Sequence, residues 1–103
     1  MPATFFIVRA VVPAPERQKF DRWYATEHLP WAAKAFRCER AWRGWSTTEE
    51  GVHYATYRFA DRASCDRAMA SDDLKALIAD FDKNFPAVTR TRDVVALAQE
   101  QGA

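Results

Sequence analysis

Glycine is scarce, at three residues in 103, and so are cysteine, at two, and the large aliphatics, with thirteen Leu, Ile and Val in all. So few glycines leave no loop that would cradle a phosphate with bare backbone, which disfavours nucleotide binding. Cys38 and Cys65 lie far apart with no metal-ligand spacing and read as reduced thiols of a cytoplasmic protein. Charge of one sign is also missing: 15 Lys and Arg are scattered among 14 Asp and Glu, so there is no footprint for nucleic acid. No apolar run approaches the roughly 18 residues that a membrane span needs. The run Thr4-Phe5-Phe6-Ile7-Val8 is short, is followed by Arg9 and has no cleavage-like site after it, so no signal peptide is expected. Two isolated histidines without carboxylates at ligand spacing give no metal site. Neither cysteine has a histidine beside it and no Gly-x-Ser-x-Gly occurs, so nucleophilic catalysis has no support.

What the chain does have is Ala and rings. Nineteen residues are Ala and fourteen are Phe, Trp or Tyr, with all four Trp between positions 23 and 45. A domain of this length buries roughly two-thirds of its unfolded surface, which is little interior for fourteen rings. Some of them are expected to line a pocket or a subunit interface.

Thr4 to Val12 is rich in β-branched and aromatic residues and reads as a strand, stopped by Pro13-Ala14-Pro15. From Glu16 the spacing turns helical, with Phe20, Trp23, Tyr24, Glu27 and Trp31 on one side. Pro30 lies inside this pattern and has no N–H for the carbonyl of Thr26, so a kink or restart is expected there. Glu39 to Thr47 and Val52 to Ala60 form a hairpin around the turn Thr48-Glu49-Glu50-Gly51. Asp61 is placed to cap a helix running to about Ala70. Ser71 opens another helix, which carries Leu74, Leu77, Ile78, Phe81 and Phe85 at helical spacing and ends at Pro86. Val88 to Ala98 is the last strand. No repeat or linker interrupts residues 1–103, which read as a single domain.

The order β-α-β-β-α-β is that of a ferredoxin-like α+β sandwich, a four-stranded antiparallel sheet with both helices on one face. The opposite face should be polar if it meets water. Instead Phe5, Ile7 and Val11 share one side of the first strand, and Phe6, Val8, Ala10 and Val12 the other. In the third strand Val52 and Tyr54 face one way, Tyr57 and Phe59 the other. With no third layer in the chain, a second copy is the simplest cover, giving a homodimer joined through its sheets. Trp42 and Trp45, three apart on a strand, must point to opposite faces, one to the helices and one to the dimer.

The segment Phe20-x-x-Trp23-Tyr24-x-x-Glu27-His28-Leu29-Pro30, with this element order, resembles the dimeric α+β barrel superfamily, and within it the EthD-like family. Ser71-Asp72-Asp73-Leu74 and the stretch from Phe81 to Phe85 are similar to that superfamily's second-helix region. The resemblance implies a homodimeric barrel with a pocket between helices and sheet in each subunit, and small-molecule chemistry without a required metal.

His28 is the leading candidate for chemistry. On a regular helix at about 100° per residue, with Phe20 at zero, Trp31 falls near about 20°, Tyr24 about 40° and His28 about 80°. A neutral imidazole at that margin of the buried face can take and return a proton, with Tyr24 beside it. Arg9, inside an apolar strand, needs a carboxylate such as Glu27 or one on a neighbouring strand, or else an anionic ligand group to clamp. Glu27, Trp31, Trp45, Tyr54 and Tyr57 are the expected pocket residues, suited to a planar, oxygenated or aromatic small molecule. His53, beside the hairpin turn, is expected to be exposed and inert. The expected activity is cofactor-independent proton transfer, as in isomerase, lactone or dehydratase chemistry, with His28 as base and acid. A non-catalytic carrier of the same metabolite, or a haem-binding protein with His28 as axial ligand, are the alternatives.

Overall fold

The computed structural model describes residues 2–102. Alternation decides the sheet. Strand β1 (Thr4–Val11) buries every second residue, and its dense β-branched and aromatic content places it at the centre. It pairs antiparallel with β3 (Val52–Phe59) on one side and β4 (Thr89–Ala96) on the other. Strand β2 (Arg40–Trp45) joins β3 through the hairpin, giving the order β2-β3-β1-β4. This is the expected ferredoxin-like α+β arrangement.

Gly51 makes the hairpin possible. It sits at φ 79°, in the left-handed region, and a Cβ there would collide with the guanidinium of Arg17. That same guanidinium donates to the Val12 carbonyl at 2.9 Å, while Val12 N–H donates to the Gly51 carbonyl at 2.8 Å. The turn, the end of β1 and the first helix are thereby tied together.

All helices lie on one face. A short 3-10 turn (Ala14–Glu16) leads into α1 (Arg17–Trp23), and α2 (Leu29–Phe36) follows after Tyr24–His28. Helix α3 (Arg62–Met69) is capped by Asp61, whose carboxylate accepts from the Ser64 N–H at 2.8 Å. Helix α4 (Asp72–Asn84) is capped by Ser71, whose hydroxyl accepts from the Leu74 N–H at 3.2 Å. Both caps stand where the sequence places them, because an N-cap is a local event needing only a short polar side chain at the boundary.

Pro30 does not break its helix. The five residues Tyr24–His28 form a π-helical turn, with the Leu29 N–H donating to the Tyr24 carbonyl five residues back. The wider turn carries the chain past the proline, and α2 continues with Pro30 in its first turn. The turn holds one residue more than a regular one, so later positions are set back by roughly 100°. The buried stripe becomes Phe20, Tyr24, His28, Ala32 and Phe36, at steps of four. Trp31, expected on the core side, is instead 40% exposed, and Glu27 is exposed as well.

Rings and alanines fill the core together. Phe20, fully buried, meets the rings of Trp23, Tyr24, Trp45, His53, Phe81 and Phe85 at centroid distances of 5.1–6.1 Å. Ala10, Ala32, Ala55 and Ala68 are buried among them, and their small size leaves the space that the rings occupy. Trp45 points to this side while Trp42 packs edge-on to Phe5 on the other, as the odd spacing requires.

Candidate active site

Between α2, α4 and the strands β1, β3 and β4 lies a cleft of about 340 Å³, counted out to its open mouth. Its enclosed part is much smaller, about 30 Å³, so a ring-sized guest enters only if the walls move apart. Phe6, Val8, Ala32, Phe36, Leu74, Leu77, Ile78 and Phe81 form apolar walls, Tyr24, His28 and Tyr57 supply polar groups, and Arg90 and Arg92 stand on β4.

The π turn puts His28 into this cleft. Its side chain is 7% exposed, stacks on Trp23 at 4.5 Å between centroids and 23° between planes, and meets Tyr24 at 4.8 Å and Phe81 at 5.6 Å. The buried Nδ1 has no hydrogen-bond partner. A buried nitrogen left without a partner costs about 1–3 kcal/mol. Burial pulls the imidazole down to about 4, and the charge of Arg90 adds to the effect, so His28 is neutral near pH 7.

Tyr24 and Tyr57 are the adjoining phenols. Burial pushes Tyr24 up to about 12, with the Tyr57 hydroxyl and the charges of Arg90 and Arg43 pulling the other way. Tyr57 is pushed well up by burial and by Tyr24 beside it. Both remain protonated at any ordinary pH and serve as hydrogen-bond donors.

His53 corrects its expectation, for it is 1% exposed. In the hairpin register it stands opposite Trp45, on the helix side, and its ring lies 4.6 Å from Tyr24 and 5.0 Å from Trp45. Its Nε2 lies 3.2 Å from Arg43 Nη1, a constant donor, which makes Nε2 the acceptor. Burial, then the Arg43 charge, pulls His53 to about 4. Asp21 anchors this group by accepting from Arg43 and from Trp45 Nε1, each at 2.8 Å. Those two hydrogen bonds hold the Asp21 carboxyl below its ordinary range, that of Trp45 first. Trp45 is therefore spent on bracing α1 against the hairpin, and it does not line the His28 cleft.

Arg9 and Tyr54 are on the wrong side of the sheet for that cleft. They face each other across β1 and β3, and strand alternation puts both on the surface away from the helices. Arg9 Nη2 donates to Glu49 in the hairpin turn at 2.9 Å. Clamping a ligand held by His28 would require the guanidinium to pass through the sheet. Of the residues expected at the site, the structure brings together His28, Tyr24 and Tyr57, and leaves out Arg9, Glu27, Trp31, Trp45 and Tyr54. Arg90 and Arg92, which the sequence did not single out, take the cationic positions. Their signal lies in the pairing of β4 with β1, where they stand opposite Ala10 and Val8, both buried on the helix side.

Among the described residues no cluster of His, Cys, Asp or Glu has the arrangement of a metal site, and no helix is long and apolar enough to cross a membrane. Cys38 and Cys65 are free thiols.

No protein-family model matches the sequence, and no curated protein matches it. Solved structures do match in fold. SnoaB, a cofactor-independent oxygenase from Streptomyces nogalater (its N63A mutant), superposes with a TM-score of 0.72 at 16% identity, over 97% of each chain. An ethyl tert-butyl ether d (EthD) family protein from Bacillus halodurans gives 0.69 at 19% identity, over 95% of this chain and 99% of its own. A dimeric ferredoxin-like protein from an uncultured marine organism gives 0.77 at 15% identity, over 98% and 100%. The chain thus shares the fold of these proteins.

Proposed function

We propose that this protein is a small enzyme that moves a proton on a planar, oxygenated or aromatic metabolite without a cofactor. The observation that carries the reading is the buried, unpartnered Nδ1 of a neutral His28 at an aromatic cleft. His28 accepts a proton from an acidic C–H of the ligand and returns it at another position, so that no electron donor or acceptor enters. Tyr24 or Tyr57 donates a hydrogen bond to the oxygen on which negative charge develops. Isomerisation, lactone rearrangement and dehydration all fit this scheme. The fold is shared with a protein described as a cofactor-independent oxygenase, which supports chemistry without a resident group.

The active form is a homodimer in which a second copy covers the sheet face away from the helices. Phe5, Ile7, Val11, Trp42, Tyr54 and Val95 share that face, and Val11, Trp42, Tyr54 and Val95 are each 38–45% exposed. One structural neighbour is described as dimeric.

The test is solvent deuterium exchange, followed by NMR, at the acidic carbon of a panel of enolisable lactones and hydroxyaryl ketones. Wild type is expected to accelerate exchange for at least one compound, and His28→Gln to lower the acceleration about 10²-fold or more while binding persists. Binding without exchange in wild type makes the protein a carrier and ends the enzymatic reading.

A further inference from the structure

The mouth of the His28 cleft carries more positive charge than the chain itself neutralises. Arg90 and Arg92 alternate with Thr91 along β4, and their register against Ala10 and Val8 turns both toward the helix side. Arg90 is held firmly. Its side chain is 9% exposed, Nη1 donates to Asp82 at 2.7 Å, and the guanidinium lies 3.9 Å over the Phe81 ring. Its charge reaches inward, where it acts on both His28 and Tyr24. Arg92 has no ion-pair partner among the described residues. The cleft walls and the like charge of Arg90 lower its pKa, although its tip reaches solvent. Two guanidiniums therefore share one carboxylate at the entrance to an apolar space.

Charged residues on an edge strand commonly serve to prevent strand-to-strand aggregation. That role calls for cations standing in water. Here Arg90 is nearly buried and stacked, and Arg92, though exposed, stands with it at the cleft mouth. Two neighbouring guanidiniums, one of them nearly buried, attract an anion, and the planar fork of a guanidinium suits an oxygen anion with two acceptors.

We propose that Arg92, supported by the immobilised Arg90, is an anion-binding site, and that the ligand of the cleft is a planar cyclic acid. Its ring enters the cleft beside His28 as the walls part, and its carboxylate reaches Arg92 at the rim. This rests on the reading of the cleft as a small-molecule site and narrows that reading to one substrate class. The clamp role that Arg9 cannot fill belongs to β4. Arg92 is a binding residue, and Arg90 positions the charge through its contacts with Asp82 and Phe81.

The experiment compares 2-naphthoate with 2-naphthamide, two rings of one shape that differ in charge, by calorimetry and by quenching of tryptophan fluorescence. The acid is expected to bind at least about tenfold more tightly, with the advantage shrinking as salt rises. Arg92→Gln is expected to bring the acid down to the affinity of the amide and leave the amide unchanged. Arg92→Lys keeps the charge without the fork and is expected to retain part of the preference. On the NMR time scale the acid, but not the amide, raises the pKa of His28, because it offsets the cations at the rim. Circular dichroism checks that each variant is folded. Equal affinity for acid and amide, or a preference for the acid that survives Arg92→Gln, overturns the anion site and leaves the His28 reading standing. Failure of wild type to bind either ring up to millimolar concentration overturns both.

Discussion

The two faces of the sheet are written by alternate residues of the same strands, yet they are different materials. On the helix side Phe6, Val8, Ala10, Ala55, Tyr57 and Phe59 are each at most 8% exposed. On the other side Phe5 and Ile7 are only partly covered, and Trp42 is 45% exposed. The first surface is completed within one chain; the second is apolar at its centre, with charges from Arg9, Arg40, Arg58 and Asp93 on the same face. Polar groups divide the same way. The helix side holds two histidines and two tyrosines in a low-dielectric setting, where burial shifts every one of them, with the half-exposed Asp21–Arg43 pair at its edge. The charges on the other side meet partners such as Glu49 and Glu39 near water, where such pairs contribute little. One strand thus carries a closed interior and an open apolar surface without either constraining the other.

The sharpest way to break this contrast is to remove one large side chain from each face. Phe20→Ala is expected to cost about 3–5 kcal/mol, because six rings lose their common neighbour and cannot all collapse into the space. Urea denaturation gives the comparison directly, and a cost below about 1 kcal/mol would mean that the aromatic cluster is not the centre of stability.

Acid separates the faces next. His28 and His53 both have folded values of about 4, below their ordinary 6.5, so below pH 6.5 the unfolded chain takes up protons that the folded chain refuses. Their contribution is therefore complete above about pH 6.5 and is lost as pH falls toward 4, by on the order of 2–3 kcal/mol for each imidazole. Denaturation midpoints measured between pH 7 and pH 4 should fall accordingly, and His53→Phe should flatten the fall. A profile that is level over this range would contradict neutral, buried histidines.

The smallest effect on the fold is expected from the open face. Trp42→Glu should leave far-UV circular dichroism unchanged while light scattering moves from the dimer mass toward the 11.8 kDa of one chain. A wild type that is already monomeric at micromolar concentration would remove the second copy from the account.

What was legible in the sequence is what local rules govern. The strands follow from β-branched and aromatic runs between turn signals, the caps at Asp61 and Ser71 from one side chain and one N–H, and the opposed tryptophans from parity. Tyr54 and Tyr57 obey the same parity and could not share a pocket, which the sequence already implies. The misplaced residues depend on events that are not local. Glu27 and Trp31 leave the core because a wider turn at Tyr24–His28 shifts the helix out of the regular phase. His53, Arg90 and Arg92 acquire their surroundings from cross-strand register, which places them opposite Trp45, Ala10 and Val8. His28 and Tyr24 were legible because they stand four apart near one helix face, a relation that the wider turn preserves.

That turn also bears on how firmly the walls of the cleft are held. Pro30 brings no N–H to the ladder, and the Leu29 N–H already reaches five residues back, so backbone bonding is thinnest between Tyr24 and Leu29. Amide hydrogen exchange within the helix should be fastest there, since local opening costs least where fewest bonds must break. The segment that holds the imidazole is therefore also the least firmly bonded part of the helix. Arg17–Trp23 is fixed to the hairpin on one side of it through Arg17, Arg43 and Asp21, and Ala32 and Phe36 hold Leu29–Phe36 in the core on the other.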